Sequence, residues 1–430
     1  MRAVMIRDDV SFKPKNNFCR VCDKTLKSII DFGNMPIANE FQLPESQTGF
    51  LFRMVAAFCD SCALFQLMDQ PEPELMFHDH YAFFATTSNY MKLHFKSLIE
   101  DHILASDQLK NETFVVEIGS NDGILLASLK NAGIRHLGVD ASENVVEHAR
   151  SLALESQVGF FGEALAKSIK LEKGSANFII AANVICHIPD LLDLGRGIVE
   201  LLHPLGEFIF EEPYAMDVLR LTSYDQFYDE HIYIFSLTSV SRVFSKVGLE
   251  LIDAIPQNTH GGSMRYVLSH RGTRKPSERL MKLMESEESN AIGNLDTYNN
   301  FAKNCFSKRE ELHTLLQKLR EEGKRVGGYA ATSKSTTILN FCEIGSDLIE
   351  FISDSTPEKI GTFTPATKIP VISHEDMRKN PPEYLVLFAW NHAREILTSE
   401  YALSKNGMKW ILFVPEIRIL DDLDIQVLIE

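Results

Sequence analysis

The sequence predicts an α/β protein with three units: a small cysteine-rich module, a central domain with a parallel sheet, and a second α/β domain. Three observations predict this organisation. Two CxxC pairs lie near the amino terminus, strands and helices alternate through the middle of the chain, and a second strand–turn–helix pattern begins at Arg325. The expected boundaries are residues 1–75, 76–272 and 273–430.

Composition excludes several classes of protein. The 430 residues are 45% hydrophobic and 24% charged, which is typical of a globular chain that buries large cores. The net charge of −16 argues against nucleic acid or an anionic membrane surface as the main partner. The sequence has no signal-peptide core and no apolar run long enough to span a bilayer. We therefore expect a cytoplasmic monomer without nucleic-acid or membrane partners.

The cysteine pairs predict the amino-terminal module. Cys19, Cys22, Cys59 and Cys62 form a CxxC…CxxC pattern that suits tetrahedral Zn²⁺. Four thiolates leave no open position on the metal, so we expect a structural ion in a zinc-ribbon-like hairpin module. Redox-active thiols remain the alternative. The other cysteines are expected to be packing residues.

A glycine turn follows the first strand of the central domain. Phe114 to Ile118 is a β-branched apolar run, typical of a buried parallel strand, and a helical pattern begins at Ile124. The turn lacks the third glycine of a dinucleotide site. An acid at the strand end followed by Gly-x-Asn-x-Gly resembles motif I of class I S-adenosylmethionine (SAM) methyltransferases, which have a Rossmann-like fold. The alternative is an ordinary turn without a ligand. The residues that this resemblance assigns to SAM are Glu117, Gly119, Ser120, Asn121 and Gly123.

Further strands complete the predicted central sheet. Asp140 ends the second strand and suits a ribose diol. The others are expected at 158–161, 176–182, 206–211 and 249–252, with an antiparallel strand at 263–269. The strand at 176–182 leads to Asn183 and His187, which are candidates for the cofactor and acceptor site. A structural role is the alternative for His187.

A dense polar and aromatic cluster follows at residues 224–236. It contains five aromatic residues among thirteen, which would be a costly exposed surface. Glu230 precedes His231, and a carboxylate beside an imidazole is typical of a general base. Tyr228 could donate a hydrogen bond to a developing oxyanion.

These motifs together resemble the SAM-dependent C-methyltransferases that act on nucleotide-linked 4-keto-deoxysugars, along nearly the whole chain. The stretches that carry the resemblance are the cysteine frame with Pro36–Asn39, then 117–123, Asn183 with 187–190, 228–231 and 259–265. The resemblance implies His231 as the base, with Tyr228, Glu230 and His187 in the active site. It also implies an aromatic residue after the zinc module, which we assign to Tyr81, with Phe84 as the competing alignment.

The carboxyl-terminal unit is expected to hold the nucleotide. A helical link over 277–322 precedes a strand at 325–329 and a hydroxyl-rich turn that carries Lys334, a candidate diphosphate cradle. Relatives commonly have Ala-Pro-Ala-Lys-Gly-Asn here, so the lysine is kept within Ala331–Thr336 while its neighbours differ. Further strands are expected at 348–354, 384–390 and 410–414, and Asp354 could hold a ribose. The remaining substrate-binding candidates are His260, Gly261 and Arg265.

The predicted reaction is methylation of the carbon beside the ketone, expected at C-3, through a base-formed enolate. The partner is then a nucleotide-diphosphate-linked keto-sugar, and the cofactors are SAM and Zn²⁺. Two alternatives remain open: an O- or N-methyltransferase acting on a nucleotide-sugar, and a non-catalytic nucleotide-sugar-binding protein. Neither requires a base aimed at a C–H bond.

Overall fold

The computed structural model describes residues 16–43, 49–76, 89–106 and 112–429, and Tyr81 and Phe84 lie outside them. The strands are β1 (Lys27–Pro36), β2 (Leu51–Cys59), β3 (Leu64–Leu67), β4 (Phe114–Ile118), β5 (Arg135–Asp140), β6 (Ser156–Val158), β7 (Ala176–Ala182), β8 (Leu202–Pro213), β9 (Tyr233–Ile234), β10 (Leu249–Gln257), β11 (Ser263–His270), β12 (Val326–Tyr329), β13 (Ile352–Asp354), β14 (Val371–Ser373), β15 (Tyr384–Leu387), β16 (Lys409–Leu412) and β17 (Arg418–Leu420).

The α-helices are α1 (Pro73–Met76), α2 (Asn89–Leu98), α3 (Ile124–Asn131), α4 (Glu143–Ser151), α5 (Glu163–Lys173), α6 (Leu191–Leu201), α7 (Ala215–Leu221), α8 (Leu237–Phe244), α9 (Glu278–Ser289), α10 (Leu295–Glu321), α11 (Ser333–Phe341), α12 (His374–Lys379), α13 (Ala393–Ser399), α14 (Tyr401–Lys405) and α15 (Asp422–Ile429). Within the described ranges, no helix is long and apolar enough to cross a membrane.

The central domain contains a seven-stranded sheet in the order β10-β11-β8-β7-β4-β5-β6. Strands β4 to β8 run parallel, while β11 is antiparallel to both β8 and β10, as the sequence predicted. Every residue of β4 is buried, since helices cover both faces. The strand order reverses between β4 and β7, where open α/β sheets bind ligands.

The zinc module does not close its own sheet. Strands β1, β2 and β3 pair antiparallel, and β9 from the central domain then pairs with β3 as a fourth strand. Aromatic contacts continue the packing, because the Phe32 ring lies 5.7 Å from Phe227 and 5.1 Å from Phe341. One hydrophobic core therefore includes residues of all three units.

The carboxyl-terminal sheet has the order β14-β13-β12-β15-β16-β17 and is parallel except for β17. Its order reverses between β12 and β15, which places the turn before α11 at a second ligand-binding edge. Thr332 caps α11 by accepting a hydrogen bond from the Ser335 N–H.

Several predicted bounds were wrong. The strand expected at 158–161 lies at 156–158, because the chain bends where the Gly159 N–H bonds to the Asp140 carbonyl. The strand expected at 348–354 begins only at Ile352, and the strand expected at 384–390 ends at Leu387. The helical link expected over 277–322 is present as two helices, α9 and α10, separated by the turn at 290–294. Helix α2 gives way to π-helix over Ile99–Leu104.

Candidate active site

The turn after β4 can be built only from glycine at two positions. Gly119 has φ +70° and Gly123 has φ +88°, a region that L-residues with side chains seldom adopt. A Cβ on Gly119 would lie 2.6 Å from the Val184 side chain, and one on Gly123 would collide with Leu154. The backbone therefore approaches its neighbours closely at both glycines, and hydrogen bonds of its N–H groups to β5 and within the turn hold it in place.

Asp140 supports this turn from the end of β5. Its Oδ2 accepts a hydrogen bond from the Asn121 N–H and its Oδ1 accepts one from the Ser142 N–H, both at 2.9 Å. Burial raises the pKa of Asp140, while these N–H groups oppose that shift. Each oxygen keeps a further lone pair that could accept a ligand hydroxyl.

Three buried polar atoms at this edge have no hydrogen-bond partner among the described residues: Glu117 Oε2, Ser120 Oγ and Asn183 Oδ1. Burial, together with the charges of Asp140 and Asp122, raises the pKa of Glu117 well above its usual value. Leaving such atoms unpaired costs roughly 1–3 kcal/mol each. A polar ligand at this edge would supply the missing partners, so the residues present fit SAM.

His231 and Tyr228 form a closely paired dyad. His231 Nδ1 lies 3.0 Å from the Gln226 carbonyl oxygen and Nε2 lies 2.5 Å from the Tyr228 hydroxyl, with the ring centroids 4.0 Å apart. Because a carbonyl can only accept, Nδ1 carries the proton and Nε2 accepts from the phenol. Burial lowers the pKa of His231 well below its usual value, and the neighbouring side chains of His187 and Lys334 add to this shift. The imidazole is therefore neutral, and Nε2 carries a lone pair that can accept a proton.

His187 lies in the same site. It ends the short 3-10 turn Ile185–His187 after β7, and its ring centroid is 5.2 Å from that of His231. Burial lowers its pKa to about 4. The structure therefore brings together the two histidines that the sequence analysis assigned to the active site. Together with Cys186, they place potential metal-ligand atoms within 4.8 Å of one another, although both nitrogens of His231 are already hydrogen-bonded.

Glu230 is hydrogen-bonded to a residue of the zinc module. Its Oε1 accepts a hydrogen bond from Asn39 Nδ2 at 2.9 Å, and the neighbouring Asp229 accepts one from the Ala38 N–H at 2.9 Å. Burial, followed by the charge of Glu230, raises the pKa of Asp229 well above its usual value. The predicted acid thus lies where the zinc module meets the central domain.

Arg265 lies within the sheet. On β11 it faces Glu211 of β8, and Nε is 2.5 Å from Oε1 of that carboxylate. His94 of α2 also contacts the carboxylate, with Nε2 2.5 Å from Oε2. Burial opposes ionisation of Glu211, but its contacts with His94 and Arg265 outweigh burial and lower its pKa. Arg265 Nη2 has no partner within the described ranges, so one donor remains for a ligand.

The loop that contains His260 and Gly261 packs beneath Trp390. Gly261 has φ +83°, and a Cβ there would enter the Trp390 ring. The half-buried His260 accepts a hydrogen bond through its carbonyl from Gln226 Nε2 at 2.7 Å. Trp390 Nε1 in turn donates to Asp225 Oδ2 at 2.7 Å.

Lys334 lies in the first turn of α11 and is buried. Its Nζ has no hydrogen-bond partner in the part of the chain described, and it lies 5.9 Å from the Trp390 ring centroid. Burial lowers the pKa of Lys334, and the charge of Asp225 opposes this shift. A buried ammonium without a paired acceptor is unfavourable, so the site fits an anionic ligand. Nearby, the Asp354 carboxylate accepts hydrogen bonds from the N–H groups of Ala331 and Thr356.

Sequence reasoning missed Trp390, Asp225 and Gln226 as members of this site. Asp225 and Gln226 belong to the aromatic cluster but were given no role. Trp390 was expected to end a strand, whereas it begins the 3-10 turn Trp390–His392 at the ligand-binding edge of the second sheet. A tryptophan next to that edge was the available signal.

The cysteine cluster fits Zn²⁺. All four sulfur atoms lie within 4.8 Å of one another, with Cys22 Sγ 3.5 Å from Cys59 Sγ. Tetrahedral Zn–S bonds place sulfurs roughly 3.8 Å apart. Cys19 Sγ also accepts hydrogen bonds from Val21 N–H and Gln66 Nε2, which favour a thiolate. The thiol groups of Cys59 and Cys62 lower the pKa of Cys19 further.

The fold and the glycine turn define a class I SAM-dependent methyltransferase with a zinc-binding module. Family models match three parts of the chain: "Putative zinc binding domain" over 19–77, "Methyltransferase domain" over 90–254 and "C-methyltransferase C-terminal domain" over 258–415. The C-methyltransferase NovU of Streptomyces niveus is 31% identical over 94% of this chain and 96% of its own length. The chain belongs to this C-methyltransferase family.

Two further similarities cover only part of the chain. An uncharacterized methyltransferase of Mycobacterium leprae is 25% identical over 26% of this chain and 42% of its own length. A solved SAM-dependent methyltransferase of Anabaena variabilis covers 41% of this chain and 84% of its own, with 19% identity and a TM-score of 0.34.

Proposed function

We propose that this methyltransferase transfers a methyl group to the carbon beside the ketone of a nucleotide-linked 4-keto-deoxysugar, at C-3. The observation that carries the proposal is the neutral His231, whose Nε2 is a hydrogen-bond acceptor paired with the Tyr228 phenol at 2.5 Å. A hydroxyl or amine carries a lone pair that can attack the methyl group directly, whereas a C–H carbon becomes a nucleophile only after a positioned base removes its proton.

His231 and Tyr228 have different roles in the proposed enolate formation. In the proposed complex the ketone oxygen replaces Nε2 as the acceptor of the Tyr228 hydroxyl, which frees the lone pair of Nε2 to face the C–H bond. The proton then moves to Nε2 while the C–H electron pair delocalises onto the ketone oxygen. Tyr228 donates to the resulting enolate, and the Gln226 carbonyl stabilises the imidazolium through Nδ1.

SAM held at this edge would supply the electrophilic methyl group, with the S–CH₃ bond exchanged for the new C–C bond and S-adenosylhomocysteine as the leaving product. The residues proposed to hold it are those of the turn at 119–123, together with Glu117, Asp140 and Asn183. His187, 5.2 Å from His231, is proposed to border the same acceptor.

The nucleotide end of the substrate is proposed to lie along the second sheet. The unpaired, buried Nζ of Lys334 suits a diphosphate oxygen. The Asp354 carboxylate could accept from a ribose hydroxyl, and Trp390 offers an aromatic surface beside Lys334. These contacts would hold the sugar between the second domain and the dyad.

The test is proton exchange in heavy water without SAM. Wild-type protein with a thymidine-diphosphate-linked 4-keto-6-deoxyhexose should incorporate deuterium at the carbon beside the ketone, because deprotonation precedes methyl transfer. The matched control is the same nucleotide-sugar with its ketone reduced to a hydroxyl, which should not exchange. SAM-dependent methylation without any exchange would contradict an enolate formed ahead of transfer and would favour attack by a heteroatom.

A further inference from the structure

The loop that follows β1 connects two parts of the proposed active site. The Ala38 N–H donates to Asp229 Oδ1, and the Ala38 carbonyl accepts from the Thr336 hydroxyl, each at 2.9 Å. The first contact reaches the central domain and the second reaches α11. A single residue of the zinc module is thus bonded to both neighbouring units.

Asn39 repeats this connection through its side chain. Its Nδ2 donates to Glu230 Oε1, and its Oδ1 accepts from the Ser333 hydroxyl, each at 2.9 Å. The orientation of the amide follows from its partners, because a carboxylate oxygen can only accept and must face the NH₂ group. Asn39 therefore lies between the residue that precedes His231 and the residue that precedes Lys334.

The Asn39 amide bonds one of two neighbouring buried carboxylates. Asp229 and Glu230 are adjacent, buried acids, and the charge of Glu230 contributes to the raised pKa of Asp229. A hydrogen bond to a buried carboxylate orients it as well as stabilising it. Because His231 follows directly, a shift of the Glu230 segment would move the dyad.

We infer that Asn39 is a positioning residue for the methylation reaction, through which the zinc-binding module aligns Glu230 with the helix that carries Lys334. The inference rests on the proposed function. In this arrangement the zinc module acts on the rate of the reaction as well as on stability. Asn39 itself touches neither reacting atom, so its effect must pass through Glu230.

A double-mutant cycle tests this, with kcat and KM measured on the thymidine-diphosphate-linked 4-keto-6-deoxyhexose. Asn39→Ala should lower kcat by about 10- to 100-fold, the loss expected when a catalytic group is misplaced. SAM affinity and zinc content should stay unchanged. In a Glu230→Ala background the same substitution should lower kcat by less than about 3-fold, because the group it positions is gone. Asn34→Ala is the matched control, since Asn34 is an exposed asparagine of the same module outside the contact.

The possible results of the double-mutant cycle distinguish the positioning role of Asn39 from the proposed function. Equal losses from Asn39→Ala in the two backgrounds would overturn the positioning role. If Asn39→Ala does not fold, Ser333→Ala keeps the test open, since it removes only one side of the connection and should lower kcat in the same coupled manner. A wild-type enzyme without turnover would instead refute the proposed function, whereas a fully active Glu230→Ala enzyme would overturn only the positioning role.

Discussion

Replacing His231 by asparagine separates the proposed base from its structural role. The Nδ2 group of an asparagine can overlay His231 Nδ1 and keep the donation to the Gln226 carbonyl, which lies 3.0 Å away. The variant loses only Nε2 and the ring. Alanine would also leave that carbonyl without its donor, which costs roughly 1–3 kcal/mol more.

The structure sets the expected magnitudes. The variant loses one hydrogen bond to Tyr228 and the ring contact at 4.0 Å, so the free energy of unfolding should fall by about 1–3 kcal/mol. Loss of a positioned base should lower kcat by about 10²–10⁴-fold. That factor corresponds to roughly 2.7–5.5 kcal/mol in the activation barrier. SAM affinity should be unchanged, because the hydrogen bonds of His231 go to Gln226 and Tyr228 and those described for the 119–123 turn go to other residues.

Deuterium exchange into the keto-sugar is the decisive assay, since it reports proton removal without methyl transfer. Exchange in His231→Asn should fall by the same factor as kcat. His203→Asn is the matched control. His203 lies at the amino-terminal end of β8, away from the dyad, and its Nδ1 accepts a hydrogen bond from the Leu205 N–H. Tyr228→Phe should slow exchange without abolishing it if the phenol stabilises the enolate. Wild-type exchange in His231→Asn together with lost exchange in His187→Asn would reverse the assignment of the base.

Three further predictions concern metal, cofactor and pH. We expect about one zinc ion per chain, and Cys59→Ser should lose this ion and give less soluble protein. Cys305→Ser is the control, because Cys305 is buried outside the cluster, and this variant should keep its zinc when the metal content is measured by mass spectrometry. A Cys59→Ser protein that still holds zinc would contradict the prediction. Asp140→Ala should weaken calorimetric SAM binding by about 1–3 kcal/mol, since it removes a ligand contact and the support of the turn, and unchanged affinity would refute the assignment. Burial holds the pKa of His187 at about 4 in the folded protein, whereas the pKa of an unfolded histidine is about 6.5. Between these two pH values the unfolded state binds more protons than the folded state, so the free energy of unfolding decreases as the pH falls from about 6.5 to about 4. Urea unfolding should therefore show wild type losing up to about 3 kcal/mol more than His187→Asn between about pH 7 and pH 4; parallel losses would contradict the shift.

Local sequence patterns determined several strands, turns and side-chain clusters of this protein. The apolar run of β4 and the glycines that follow it specify a strand and a turn, because strand periodicity and positive φ are local requirements. The cysteine spacing likewise specified the metal cluster, since each CxxC pair brings two sulfurs together without help from the rest of the chain. The His231–Tyr228 pair is three residues apart and was equally accessible.

Contacts between distant residues were decided only by the tertiary structure. Asn39 meets Glu230 across 191 positions, and Trp390 meets Asp225 across 165. The pairing of β9 with β3, which completes the sheet of the zinc module, has no signal in either strand alone. Residue type and local periodicity state what a segment can form and which face it buries. Which distant partner covers that face depends on how three units pack around one core, and that packing determines what surrounds His231.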